Sequence, residues 1–164
     1  MTMRKIIALA CLALPVLAMH GNLSAQQGPR STGEYYRDLG VIFSVIEAIR
    51  EIGDICSEEF PETSESNEQH YQLWRTRHLD LLEEIERHRA RILENPVLEA
   101  QYKRDMHNWN LTFKTNQKRA LAANGTAAFR ATCDKYGDLT SLPQWDLEQS
   151  FAGHIATMRR GPAQ

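Results

Sequence analysis

The sequence predicts an all-α protein, an antiparallel bundle of about four to five helices stapled by one disulfide. Three observations predict it. Apolar residues recur at spacings of three and four through most of the chain, and no alternating apolar–polar run reaches useful strand length. Beyond an N-terminal leader, two cysteines remain as an even pair, Cys56 and Cys133.

The leader comes first. Arg4 and Lys5 give a basic start, Ile6 to Met19 carry no charge, and His20 to Ala25 form a polar stretch ending in small residues. That layout predicts a signal peptide over residues 1–25, cleaved between Ala25 and Gln26. The apolar run of about 14 residues is shorter than the roughly 20 needed to span a bilayer, and Pro15 interrupts it. Cys11 leaves with this segment. As a lipid-attachment site it fits poorly, since it sits inside the apolar run behind Ala8-Leu9-Ala10. Residues 26–31 are expected to be a disordered leader, and residues 32–160 a single helical-bundle domain in the periplasm or the medium.

Ser31-x-x-Glu34 is a capping-box signature, expected to open a long first helix. One apolar row runs Tyr35, Leu39, Ile42, Ile46, Ile49, Gly53, Cys56 and Phe60, with Val41, Val45, Ala48, Ile52 and Ile55 beside it. Arg37, Asp38, Ser44, Glu47, Glu51, Asp54 and Glu58 make a narrow polar stripe. A helix apolar over more than half its circumference belongs at the centre, and Pro61 stops it.

Ser66-x-x-Gln69 restarts a second helix, with Trp74, His78, Leu81, Leu82, Ile85 and Ile92 on its inner face. Asn95-Pro96 ends it and begins a third, with Asn as cap and Pro at the first helical position. Leu98, Tyr102, Met106, Trp109, Phe113 and Leu121 are its inward residues, and Asn124-Gly125 its stop. Thr126 is expected to cap a shorter helix bearing Phe129, Cys133 and Tyr136 and closed by Gly137. A loop over 138–143 and a last helix with Trp145, Glu148, Phe151, Ile155 and Met158 follow.

Charge and composition narrow the function. Lys plus Arg number 19 against 21 Asp plus Glu, a net −2, and the leader removes two cations and no acid. A mildly acidic chain has no general attraction to nucleic acid or anionic lipid, and no membrane span is expected after cleavage. Cys56 and Cys133 lie in a compartment that permits oxidation, without a local Cys-His or Cys-x-x-Cys pattern, which favours a bridge over two free thiols.

Sites for chemistry are sparse. His70 and His78 share a helix face two turns apart, with Trp74 and not a ligand between them. Glu84 and His88 have the spacing of a metal pair and equally that of an ordinary surface pair. His78 stands out for lying in an apolar row. Arg87, Arg89 and Arg91 sit downstream of Glu83, Glu84 and Glu86, which reads as paired surface charge. No phosphate loop, nucleophile elbow or Cys-x-x-Cys-His haem motif occurs, and no cofactor is expected. The aromatics carry the best hint of binding: of the adjacent pair Tyr35 and Tyr36, both cannot face one core stripe, and Trp145 lies in the connection before the last helix.

Cys56-x-x-x-Phe60-Pro61, followed by Trp74-Arg75 and a later single cysteine, resembles a pattern of small uncharacterised exported all-helical proteins of Proteobacteria, over about residues 35–135. The resemblance implies a periplasmic address and the disulfide, and carries no activity. The expected function is therefore a non-catalytic binding or interaction module, such as an inhibitor or immunity-type partner of another exported or envelope protein. The runner-up is a small-molecule or metal-binding bundle.

Overall fold

The computed structural model describes residues 29–162. Among these the chain is all-α, in eight helical segments: α1 (Tyr35–Glu59), α2 (Ser64–Arg77), α3 (Leu79–Leu93), α4 (Pro96–Ala122), α5 (Thr126–Cys133), α6 (Tyr136–Thr140), α7 (Leu147–Ser150) and α8 (Ala152–Arg160). The signal peptide and its Ala25/Gln26 junction lie outside the described residues.

α1 is the central element: α2, α4, α5 and α8 all pack on it. Leu39, Ile42, Ile49, Ile55 and Cys56 are fully enclosed along it, while Ile46 and Val45 are only half-buried. α2 and α3 return along α1, so that His88 meets Tyr35 near the helix start. α4 then runs parallel to α1, because its contacts ascend together: Tyr102 with Phe43, Lys114 with Glu51, Lys118 with Glu58. α5 runs antiparallel to the end of α1, pairing Phe129 with Phe60 and Cys133 with Cys56.

Two helices predicted as continuous are broken. The second turns at His78, whose N–H reaches back to Arg75 O at 3.2 Å, a tightened final turn, before α3 begins. No Gly or Pro marks this position. The cause is tertiary: Trp74 Nε1 donates to Trp145 O at 2.9 Å and the Arg77 guanidinium to Thr140 O at 2.8 Å, anchoring the end of α2 to the 140–145 segment. The last helix breaks likewise at Phe151, between α7 and α8. Asn95 caps α4 as expected, accepting from the N–H groups of Val97 and Leu98. Gly125, at φ +85°, takes the cap position before α5 that the sequence assigned to Thr126.

α5 ends at Cys133, and Tyr136 and Gly137 belong to the separate turn α6. Gly53 is what admits α6. The Tyr136 ring lies 3.1 Å from where a Cβ on Gly53 would stand, and its hydroxyl donates to Ile49 O at 2.8 Å. α4 contributes no fully buried residue: Leu98, Tyr102, Met106 and Phe113 lie half-covered against the main core, and Leu121 against a second cluster. That second cluster holds Ile55, Cys56, Phe129 and Cys133. The disulfide joins Cys56 and Cys133 across 77 residues with Cα atoms 5.4 Å apart, an ordinary span.

Asp38 departs from its place in the polar stripe. It is fully enclosed, and accepts hydrogen bonds from Ser31 Oγ, Thr32 N, Thr32 Oγ1 and Gly33 N. Ser31 thus donates to Asp38 instead of capping the helix, and Glu34 at the helix start makes no side-chain cap. Ser31 Oγ also lies 3.0 Å from Thr157 Oγ1, which ties this end of the expected leader to α8.

Enclosure alone would raise the Asp38 pKa; the hydrogen bonds from Ser31 and Thr32 outweigh it and lower the carboxyl from 3.8 to about 2. A depressed carboxylate contributes stability that is present above pH 3.8 and is lost as pH falls through about 2. Asp38→Asn is therefore expected to cost about 2 kcal/mol at neutral pH and to flatten the loss of stability between pH 4 and 2. Urea unfolding across pH measures both, and an unchanged midpoint at pH 7 would refute the assignment.

Candidate functional site

The break between α2 and α3 and the turn over 141–146 enclose a notch of about 130 Å³. Arg77, His78, Thr140, Ser141, Leu142, Trp145, Asp146 and Glu148 line it. Each is placed for a local reason. Pro143 starts a single 3₁₀ turn ending at Trp145, and Asp146 Oδ1 caps α7 by accepting from Gln149 N. Ser150 Oγ donates to Pro143 O at 2.8 Å and closes the turn on α7. Beneath, the Trp74 ring is fully buried and tilts against His78 with centroids 5.0 Å apart.

Two residues of this lining each carry a ring nitrogen that is shielded from solvent and has no hydrogen-bond partner among the described residues: His78 at Nδ1 and Trp145 at Nε1. Such atoms are rare in folded proteins, because a buried polar group without a partner costs about 1–3 kcal/mol. His78 itself is only 8% exposed. Burial pushes its pKa down, as does Arg77, against the opposing pull of Asp146 and Glu148, which keeps the imidazole neutral at ordinary pH. Leu142 stands exposed at the rim and Trp145 is half-buried.

Ser141, His78 and Asp146 are residue types that can form a hydrolytic triad, and all three line the notch. Their bonds point elsewhere. Ser141 Oγ donates to Gly137 O at 2.9 Å, Asp146 Oδ1 accepts from the α7 backbone, and His78 Nδ1 bonds neither. The arrangement does not prime a nucleophile.

The other sequence candidates fall into structural roles. Tyr35 is buried in the core, with its hydroxyl 2.8 Å from His88 Nδ1. Tyr36 is the exposed member of the pair, at 51%, edge-to-face on Tyr35. Glu84 and His88 do not converge: Glu84 takes a bidentate ion pair from Arg159, while His88 turns to Tyr35. His70 packs its ring on Gly137. His154, 1% exposed, lies 3.9 Å from Asp38, and burial lowers its pKa. Trp145 covers the main core beside Trp74, well separated in the packing from the disulfide cluster.

Among the described residues no group of three or more His, Cys, Asp or Glu could hold a metal ion, and no helix is long and apolar enough to cross a membrane. Sequence reasoning singled out His78 and Trp145 separately; it missed that they share one notch, and it missed the enclosure of Asp38. The run Ser31-Thr32-Gly33, three close donors ahead of an acid, was the available signal for the latter. No protein-family model matches the chain, and neither the comparison with curated proteins nor that with solved structures yields a match.

Proposed function

We propose that this chain is an exported, non-catalytic interaction module whose contact face centres on the notch beside Trp145. The observation that carries the reading is the exposed Leu142 beside the half-buried Trp145, on a turn held in place by Trp74 and Arg77. A protein partner supplies apolar cover for this rim. At about 130 Å³ the notch is below the 300–1,000 Å³ usual for small-molecule sites, which supports a partner's side chain over a whole ligand.

The address is part of the proposal. A leader with the layout of a signal peptide, the likeness to small exported helical proteins and a buried disulfide all support the periplasm, with the partner another exported or envelope protein that the module inhibits or neutralises. The structure divides the chain into eight helices where the sequence reading expected four to five, and in this proposal α2 with α3, and α7 with α8, each act as one bent rod.

Two measurements test this. Protein recovered from the periplasmic fraction is expected to begin at Gln26 and to weigh two hydrogens less than its reduced form; an uncut leader or two alkylatable thiols would refute the address. A tagged native chain is expected to retain one stoichiometric envelope protein, with Leu142→Arg weakening retention at least tenfold at unchanged thermal stability. Undiminished retention by Leu142→Arg overturns the notch as contact face. A purified chain carrying a small molecule or metal, with no protein partner, overturns the module in favour of a ligand-binding bundle.

A further inference from the structure

Independently of what the notch contacts, we infer that α4 opens as a unit ahead of the rest of the fold. It is thereby the segment where a trypsin-like protease nicks the folded chain, with the Cys56–Cys133 bridge keeping the two halves together. None of the 27 residues of α4 is buried, whereas α3 buries Leu81, Ile85, His88 and Ile92 within 15 residues and α8 buries four of its nine. Leu98, Tyr102, Met106 and Phe113 lie half-covered against the main core. Trp109 stacks on Phe113 of its own helix with centroids 4.6 Å apart, and Leu111 stands exposed. A helix that withdraws so little apolar area from water belongs to the weakly held end of a fold.

Ion pairs fasten the far half of the seam between α1 and α4. Lys114 pairs with Glu58 and lies 3.5 Å from Glu51, and Lys118 reaches Glu58 at 2.8 Å and Glu59 at 3.1 Å. Both lysine side chains are about a third exposed, so water and salt screen these pairs and each contributes little. Glu51 Oε1 on α1 and Asn110 Oδ1 on α4 are shielded from solvent yet make no hydrogen bond among the described residues, a cost that hydration in the open form removes.

Both ends of α4 lie in exposed chain, over residues 94–97 and 122–126, and Gly125 takes φ +85°. The elements beyond are fixed separately. Ile85 and Ile92 hold α3 in the core and His88 meets Tyr35, while the disulfide pins α5 to the end of α1. α4 itself carries five residues after which trypsin cuts: Lys103, Arg104, Lys114, Lys118 and Arg119. Hydrolysis after any of them consumes one water and leaves a new carboxylate and a new amine. Each such cut falls between Cys56 and Cys133, so the halves stay joined.

The test is limited digestion of the full, disulfide-bonded chain with trypsin, read by intact mass before and after reduction. Cuts at or before Arg30 and after Arg159 or Arg160 only trim the ends. The first internal cuts are expected within α4, giving a product one water heavier that separates into two chains on reduction alone. Lys114→Gln combined with Lys118→Gln removes the ion pairs and leaves Lys103, Arg104 and Arg119 as cutting sites. Nicking there is expected to be about fivefold faster, and hydrogen exchange of the 98–121 amides to quicken by about the same factor, with the α1 amides unchanged. First internal cuts in α2 or α3, halves that part without reductant, or nicking no faster in the double variant would each overturn the inference. So would α4 amides that exchange in step with those of α1.

Discussion

Replacing Cys56 and Cys133 together by serine is expected to lower the unfolding free energy by about 4 kcal/mol. The bridge spans 77 residues, so it removes a large loop-closure entropy from the unfolded chain. Its burial adds a local effect. Both cysteines are enclosed within a cluster of their own, where Ile55 and Phe129 surround them and Phe60 and Leu121 lean in from the side. Two serine hydroxyls placed there lack partners. Besides the bridge and its cluster, α5 is held to the segment just past α1 by the Phe60–Phe129 edge-to-face contact, the Arg130 guanidinium over the Phe60 ring and the ion pair of Arg130 with Glu62. Urea unfolding of the double variant measures the global loss, and hydrogen exchange is expected to show the 126–133 amides opening before those of α1. An unchanged midpoint, or equal opening of both segments, would contradict this account.

Trp74→Ala is expected to cost about 4 kcal/mol, in the range for emptying a large aromatic site in a core. Trp74 is the largest fully enclosed side chain, stacked on Tyr71 at 6.2 Å between centroids and tilted onto His78. Its Nε1–H also holds Trp145 O, which sets the height of the turn above the notch. Trp74→Phe separates the two roles. It keeps most of the apolar volume and drops the hydrogen bond, with an expected loss of about 1–3 kcal/mol for the stranded carbonyl. Of the two variants, only Trp74→Ala is expected to empty the core site; both are expected to move the Trp145 resonances. Equal destabilisation by both would mean that the hydrogen bond, not the packing, dominates.

How much of this was legible in the sequence depends on whether the cause is local. Pro61 and Asn95-Pro96 act through their immediate neighbours, and the C-terminal end of α1 and the start of α4 fall where those residues put them. The apolar rows of Tyr35 to Phe60 likewise placed α1 at the centre. The bend at His78 has no local signature, since Thr76-Arg77-His78 is compatible with a helix. It arises from anchors more than 60 residues away, at Thr140 and Trp145. The same holds for the notch. His78 and Trp145 each attracted notice for their own chemistry, yet only the fold brings them to one cavity. Asp38 was misread because helical periodicity places it among exposed charges, while four donors from Ser31, Thr32 and Gly33 satisfy it in the interior.

Gly53 has a reach beyond its own seat. The missing side chain there lets Tyr136 settle flush on α1, and Tyr136 opens the short helix whose far end, Thr140, forms a wall of the notch together with Ser141. A methyl group at position 53 would act as a shim, lifting that wall from a distance without touching any residue that lines it. The width of the notch is thus gauged in part by a hydrogen atom on the opposite side of a tyrosine ring.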